Sequence, residues 1–389
     1  MLVQVDSLSA VVEVPPQQTR VLRVDHGHAT LVPVDWEDPV EAASSLHRRA
    51  VDRVEPWLRR DLAVQLGRLG TNGNRYANLV IDCPDARWVD EIAFTVAHTP
   101  PEVLTQVPNV KVLQDNARHL YEQDADLQYA DLVERSGADG NYTTVSYLNL
   151  TGARHEYPRD VYYFYVAHAR VFWEDPAKVS GRSFWRKAYW DEIQYEDSGT
   201  LESRLTGATN IIEAANASSV WMQMNMEFGY GTNPLQPVQV VLERYGSCGQ
   251  FSITTAAALK VAMIPARVAI YPASDHQWNE VFIDGHWMLL DASNDVAGDT
   301  RVKEPELIRR TNAVRFNDAG VFERGWKPYM SAMSTFRSDD VIINSIDISA
   351  PDPSFTFRES GMTRNSIAEP HMYTETSTVT INVVDPGGD

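Results

Sequence analysis

Residues 244–251 read RYGSCGQF and decide the fold of the chain. The first half of this stretch is turn-forming, whereas the composition from Gln250 to Met263 is rich in alanine and predicts a helix. Pro265 ends it, because proline cannot continue the hydrogen-bond ladder of a helix. Cys248 therefore lies at a helix N-terminus, where unpaired N–H groups and the positive end of the helix dipole stabilise a thiolate. The thiolate is the nucleophilic form of cysteine.

Downstream of this helix the sequence predicts a β-hairpin. Residues 276–283 and 286–291 alternate as two strands, and Asp284-Gly285 between them is a strong signal for a two-residue turn. This turn pairs Ile283 with His286 and so fixes the register of the whole ladder.

The predicted register brings two polar residues together. It places Trp278 opposite Asp291 and His276 opposite Ser293. His276 and Asp291 are then diagonal neighbours on one face, about 7–8 Å apart at the backbone. A carboxylate at this distance can fix the imidazole tautomer and leave the other ring nitrogen facing the thiol.

Three blocks carry a resemblance to a known group of enzymes. They are GSCGQF at 246–251, PAR at 265–267 and DHQWNEV at 275–281. Their order resembles the transglutaminase-like superfamily, a papain-like group of cysteine enzymes, and their wording is most similar to peptide:N-glycanases. The resemblance covers residues 200 to 336. Unlike glycanases, the chain lacks paired Cys-x-x-Cys zinc ligands, and Gln250 stands where they carry an acid.

The resemblance implies an α+β fold, in which the helix bearing the cysteine packs on an antiparallel sheet, behind an N-terminal domain that contains both helices and strands. It implies that Cys248 attacks an amide or peptide carbonyl to form a thioester, that His276 transfers the proton and that Asp291 orients His276. Trp221 is the candidate oxyanion donor beside the Cys248 N–H.

The sequence leaves several points of the function open. We expect Tyr245, Gln250 and Trp278 to contact a protein, peptide or glycopeptide substrate. Whether the acyl group goes to water, as in an amidase or protease, or to an amine, as in a transglutaminase, stays open. The alternative is a module that binds protein or glycan and retains the fold without turnover. A zinc site through Cys248 and His276 matches no common spacing, so we expect no metal and no cofactor.

Composition excludes some partners. The chain has 389 residues with a net charge of −19, which argues against a nucleic-acid surface and against binding to an anionic membrane. Two cysteines make a disulfide framework improbable, and no apolar run is long enough to span a membrane. The N-terminus does not resemble a signal peptide, so we expect a cytoplasmic protein. Oligomeric state stays open.

The order of segments predicts four regions. They are an N-terminal mixed domain at 1–155, an aromatic-rich connector at 156–199, the catalytic core at 200–348 and a C-terminal extension at 349–389, which is either a small β appendage or a partly ordered tail. Within them we predict strands at 77–83 and 160–172 and a helix at 116–133. We expect Cys83 to be a buried structural thiol. We also expect the connector rings to pack between the N-terminal domain and the core rather than to bind ligand.

Overall fold

The structure of the chain is a computed structural model. It describes residues 39–172, 174–195, 198–229, 231–232, 234–270, 277–290 and 292–293, and the backbone of eight short strands outside them. His276, Asp291 and the run at 378–384, whose alternation predicts a strand, lie outside the described residues.

The chain begins with two antiparallel hairpins. They pair β1 with β2 and β3 with β4. Their bounds are Leu2–Val5 (β1), Leu8–Val11 (β2), Arg20–Asp25 (β3) and His28–Pro33 (β4). The alternation of valine residues in 1–35 predicts short strands, and the structure confirms them.

A run of helices follows. The bounds are Pro39–Ala42 (α1), Ser45–Val51 (α2), Pro56–Leu69 (α3), Gly73–Ile81 (α4), Val89–Ala97 (α5), Pro101–Gln106 (α6) and Lys111–Asp124 (α7). Pro56 begins α3 because the first turn of a helix needs no N–H from it. The strand predicted at 77–83 is wrong, since α4 occupies most of it. Cys83 is buried as expected, and burial raises the pKa of its thiol.

A three-stranded antiparallel sheet comes next, formed by Ala130–Gly137 (β5), Gly140–Leu148 (β6) and Arg154–Glu156 (β7). The helix predicted at 116–133 is correct only as far as Asp124. The Asp124 carboxylate accepts a hydrogen bond from the Leu132 N–H at 2.6 Å, which joins the end of α7 to the strand that replaces the predicted helix.

The connector is helical. Its bounds are Arg159–Tyr162 (α8), continued by a π-helix at Tyr163–Ala167, and Trp185–Lys187 (α9), continued by a π-helix at Ala188–Glu192. The strand predicted at 160–172 is therefore wrong, because a strongly apolar run has no periodicity that separates a buried strand from a buried helix.

The connector rings lie in a seam, as predicted. Tyr163 packs 4.8 Å from Trp57 of α3, measured between ring centroids. On the other side, Tyr165 lies 4.8 Å from Trp287 and Tyr189 lies 5.4 Å from Trp221, both in the region from 200 onward. One hydrophobic core thus runs from the N-terminal helices into the C-terminal sheet.

The remaining elements form the α+β region that carries the predicted cysteine. Its helices are Leu201–Leu205 (α10), Ile211–Asn225 (α11), Pro237–Glu243 (α12) and Cys248–Val261 (α13). Its strands are Glu227–Phe228 (β8), Tyr245–Gly246 (β9), Ala266–Ile270 (β10), Gln277–Ile283 (β11), His286–Leu290 (β12), Met333–Phe336 (β13), Ile342–Ile343 (β14), Phe357–Arg358 (β15) and Arg364–Ile367 (β16).

Five of these strands form one antiparallel sheet, in the order β12-β11-β10-β13-β16. The helix α13 packs on β10 and β11, so the expected arrangement of a helix on an antiparallel sheet is present. None of the helices that the structure describes is long and apolar enough to cross a membrane. The four region boundaries that we drew from the sequence stay predictions.

Buried cations hold the C-terminal half of α13 against the connector. Lys260 Nζ donates to the carbonyls of His168 and Arg170 at 3.0 and 2.7 Å. Arg186 in turn donates to the carbonyls of Lys260 and Val166 at 2.7 and 2.6 Å. Burial lowers the pKa of Lys260 well below its usual value. These bonds fix the helix whose other end carries Cys248.

Candidate active site

Cys248 is the first residue of α13, as its sequence predicted. Ser247 caps the helix, and its N–H donates to Oε1 of Gln250 at 3.2 Å in a capping box. The Ser247 hydroxyl donates to the same oxygen at 2.8 Å. The thiol of Cys248 is half-buried and forms no disulfide. A cysteine so placed has access to solvent and lies at the positive end of the helix dipole.

The hairpin that should carry the base has the predicted register. Ile283 pairs with His286, and the ladder extends to Asn279 opposite Leu290. Asp284 and Gly285 both adopt positive φ, at 51° and 81°, as a type I′ turn requires. The start of β11 and the end of β12 therefore lie at the same end of the hairpin. In the sequence, His276 immediately precedes the first and Asp291 immediately follows the second.

The start of β11 lies against the N-terminal turn of α13. Nδ2 of Asn279 donates to the Ser252 carbonyl at 2.8 Å. The side chain of Gln277 rests on Gly249, since its Oε1 lies 3.2 Å from the position that a Cβ on Gly249 would take. The residue after Cys248 thus contacts the residue after His276. The fold brings these two parts of the sequence, 28 residues apart between Gly249 and Gln277, into contact.

Trp221 does not have the environment that we expected of an oxyanion donor. Its side chain is fully buried in α11, and its indole N–H donates to the Gly199 carbonyl at 3.1 Å. The indole has only this one donor. An oxyanion role would require Trp221 to break this buried hydrogen bond. The structure therefore does not favour Trp221 as the oxyanion donor.

The three substrate-binding candidates differ in accessibility. Trp278 is 1% exposed and packs inside the core, so its ring offers no surface to a ligand. Gln250 is 5% exposed and its amide oxygen belongs to the capping box. Tyr245 is 43% exposed and lies three residues before Cys248. Of the three, Tyr245 is therefore the residue that a substrate can reach.

A buried ion pair, whose role the sequence did not reveal, lies beneath the site. Arg267 of β10 and Glu280 of β11 face each other in the ladder, and Arg267 Nε lies 2.6 Å from Glu280 Oε2. Their side chains are 3% and 0% exposed. The guanidinium also lies 3.8 Å from the ring centroid of Trp287 on β12. The ion pair and its contact with Trp287 join the three strands that support the predicted base. Both residues lie within the motifs at 265–267 and 275–281, but those motifs do not show that the two side chains pair.

Gln277 is a further residue that the sequence does not reveal. Its Oε1 is buried without a hydrogen-bond partner among the described residues. A buried carbonyl oxygen without a partner is costly in a folded protein. What identifies Gln277 as a residue of the site is its position beside Gly249, and no sequence pattern shows that proximity. The described residues contain no cluster of three His, Cys, Asp or Glu side chains suited to a metal ion.

Comparison with known proteins agrees with this geometry. Residues 199–292 match the family model of the Transglutaminase-like superfamily. The match begins just before α10 and ends just after the hairpin, so it includes α13, β10, β11 and β12. The chain therefore carries a transglutaminase-like domain, and that superfamily is a family of cysteine enzymes.

One solved structure is also similar over a limited region. It is the crystal structure of a putative cysteine protease from Cytophaga hutchinsonii, with 26% sequence identity over 24% of this chain and a TM-score of 0.22. The match spans 35% of that protein's own length. No curated protein matches the chain.

Proposed function

We propose that the chain is a cysteine-dependent acyl-transfer enzyme that cleaves or transfers an amide or peptide bond. The observation that carries this proposal is the contact between the first turn of α13 and the start of β11, through Gln277 on Gly249 and Asn279 on Ser252. This contact supports a thiol and an imidazole that lie next to each other. The hairpin register supports a carboxylate at the same end.

In the proposed reaction, the Cys248 thiol gives its proton to His276, Sγ attacks the carbonyl carbon of the substrate, and an S–C bond forms. As the tetrahedral intermediate collapses, His276 gives its proton to the leaving amine and the C–N bond breaks. Asp291 holds the imidazole in the required tautomer. Water or an amine then attacks the thioester, gives its proton to His276 and releases Cys248. The product is a carboxylic acid with water and a new amide with an amine.

The oxyanion of that intermediate needs two donors, and we propose the Cys248 N–H and the side-chain amide of Gln277. Gln277 takes this role in place of Trp221. The reason is that the indole N–H is already bonded to Gly199, whereas Nε2 of Gln277 lies 3.7 Å from the position that a Cβ on Gly249 would take, next to Cys248.

Substrates in the proposal are proteins, peptides or glycopeptides. The glycopeptide class rests on the similarity of the blocks at 246–251 and 275–281 to peptide:N-glycanases. Water and a primary amine are the two candidate acceptors of the acyl group, and the test measures transfer to both.

The test compares the wild type with Cys248→Ala on a panel of peptide amides, glutamine amides and glycopeptides, with and without a primary amine. We expect turnover of at least one class, a thioester on Cys248 that hydroxylamine cleaves, and loss of both in Cys248→Ala. Loss of turnover without loss of the folded state is expected, because the substitution is small and lies at a helix start. No turnover of any class by the wild type, or full turnover by Cys248→Ala, would contradict the proposal.

Gln277 has a separate test. Replacing its amide by an apolar chain of similar length, in Gln277→Met, should lower kcat by about 100-fold, as loss of one oxyanion donor does. Alkylation of Cys248 by iodoacetamide forms no oxyanion, so its rate should stay within a factor of two. Equal loss in both reactions would show that Gln277 only supports the structure around Cys248.

A further inference from the structure

Exposed apolar side chains are concentrated next to Cys248. Among the described residues, the large hydrophobic side chains that are exposed are Leu150, Met224, Phe228, Leu235 and Tyr245. Four of these lie between residues 224 and 245, immediately before the cysteine. Apolar surface exposed to water is thermodynamically unfavourable, and a cluster of exposed apolar side chains most often marks a binding site.

Tyr245 is held in a fixed position by a glycine. The strands β8 and β9 run parallel, with Phe228 opposite Gly246, and the Gly229 N–H donates to the Gly246 carbonyl at 2.9 Å. A Cβ on Gly229 would lie only 2.0 Å from Cε1 of Tyr245. The ring therefore rests directly on the Gly229 backbone, a contact that only glycine allows.

Two more of these four residues, Phe228 and Leu235, lie beside the first turn of α13. The ring of Phe228 lies 5.9 Å from that of Phe251, measured between centroids. Leu235 follows Pro234, whose carbonyl accepts a hydrogen bond from Nε2 of Gln250 at 3.5 Å. Phe228 thus contacts residue 251, the residue before Leu235 is bonded to Gln250, and Tyr245 rests on Gly229; the three side chains have exposed fractions of 38%, 41% and 43%. We refer to these three residues as the apolar rim.

The position of the apolar rim next to Cys248 in the sequence indicates which kind of molecule binds there. A partner that covered these side chains permanently would also narrow the approach to Cys248, which is half-buried and would need that approach for turnover. A substrate side chain, in contrast, occupies the rim only while its own amide is at the thiol. Rings that are already fixed lose little conformational entropy when they bind, which suits a site that is filled and emptied in each cycle.

Charge further limits the kinds of substrate side chain that can bind to the apolar rim. The exposed Glu227 lies directly before Phe228, and the whole chain has a net charge of −19. An acidic side chain would be repelled from this region, whereas an uncharged apolar side chain would not.

We infer that the apolar rim binds an aromatic or branched aliphatic side chain of the substrate, next to the amide that Cys248 attacks. This inference rests on the proposed function and gives it a substrate class, namely peptides or proteins with an apolar residue beside the reacting bond. Tyr245 was a substrate-binding candidate from the sequence, and Phe228 and Leu235 are additions from the structure.

The test uses two alkylating probes of matched reactivity, N-benzyl iodoacetamide and N-(2-hydroxyethyl) iodoacetamide, at concentrations where the rate is proportional to probe. The site of reaction is verified as Cys248 by peptide mass spectrometry. In the wild type the benzyl probe should react about tenfold faster, as expected from partial burial of a ring. Leu235→Ser and Tyr245→Ser should each reduce that ratio severalfold, while Tyr245→Phe keeps it.

Leu150→Ser is the matched control, because Leu150 is 64% exposed and lies in the turn between β6 and β7, outside the rim. It should leave the ratio unchanged. A ratio near one in the wild type, or an undiminished ratio in both serine variants, overturns the apolar rim. Rapid reaction of Cys248 with both probes would still leave the proposed function standing. If neither probe reacts with Cys248 faster than with a small-molecule thiol, the proposed function fails and the inference fails with it.

Discussion

Asn279 and Ser252 connect the hairpin to the helix that carries Cys248. Nδ2 of Asn279 donates to the Ser252 carbonyl at 2.8 Å, and both residues are buried. Asn279 lies three residues after His276, and Ser252 lies four residues after Cys248. This bond therefore sets the distance between the two segments on which the proposed chemistry depends.

Asn279→Ala should lower the free energy of unfolding by about 1–3 kcal/mol, because it removes a buried hydrogen bond and leaves a small void. Urea unfolding followed by tryptophan fluorescence measures the change. Gln239→Ala is the control, since it removes an exposed hydrogen bond to Glu243 and should have a much smaller effect. Equal effects of the two substitutions would show that Asn279 does not tether the hairpin.

The ion pair between Arg267 and Glu280 should be costly to break from one side. Glu280→Gln leaves the buried guanidinium without its counter-charge, and we expect a loss of about 3–5 kcal/mol. Thermal unfolding gives the comparison with Glu156→Gln, which breaks the exposed pair between Arg135 and Glu156. If both variants melt at the same temperature, the buried pair does not hold the strands together.

The capping box at Cys248 makes a prediction for Gln250. Gln250→Ala removes the acceptor of the Ser247 N–H and should cost about 1 kcal/mol. Gln250→Glu restores an acceptor and should unfold near the wild-type urea concentration. A Gln250→Glu protein as unstable as Gln250→Ala would mean that the amide group has a role other than capping.

Two neighbouring carboxyl groups of α5, the half-buried Asp90 and the buried Glu91, should make stability depend on pH. Burial raises the pKa of Asp90 to about 7, and burial together with repulsion from Asp90 raises the pKa of Glu91 to about 8. The folded chain then keeps protons that the unfolded chain releases above pH of about 4. Stability should therefore fall as pH rises from about 5 to 8, by at most about 1.4 kcal/mol per pH unit for each group.

The matching variants are Asp90→Asn and Glu91→Gln, which keep an acceptor oxygen for the Glu55 N–H and for the Tyr121 and Tyr162 hydroxyls. Both should flatten the fall in stability between pH 5 and 8. Asp139→Asn is the control, because hydrogen bonding to Arg159 holds the pKa of Asp139 below its usual value and so gives no fall in this window. An unchanged slope in both variants would contradict the assignment.

Local signals explain which parts of the fold were predictable. Pro265 and the alanine-rich run indicated α13, and Asp284-Gly285 fixed the hairpin register, because each depends on residues close in sequence. The runs at 77–83 and 160–172 predict strands because they are apolar without clear periodicity. Packing in the surrounding core makes them helical instead. The predicted helix at 116–133 ends at Asp124 for a related reason. The residues of β5 pair with β6, and this pairing overrides their local helix propensity.

The site was predictable to a similar extent. The position of Cys248 followed from its own neighbours, and the exposure of Tyr245 agrees with a role at the surface. Three features depend on which segments the tertiary fold brings together: the hydrogen bond from Trp221 to Gly199, the burial of Trp278 and the unpaired amide oxygen of Gln277. The assignment of His276 and Asp291 stays a prediction from the sequence, supported by the strand ends that adjoin them.

The most direct test of the central claim is the rate of Cys248 alkylation by iodoacetamide from acid to alkaline pH, in the wild type, in His276→Ala and in Asp291→Asn. If Cys248 and His276 form an ion pair at the helix N-terminus, the rate should stay high well below neutral pH. His276→Ala should shift the rise toward the value of an ordinary thiol, near pH of about 8.5, and Asp291→Asn should give an intermediate profile. A single rise near that pH in the wild type, unchanged in His276→Ala, would contradict the account, because neither the helix nor the histidine would then act on the thiol.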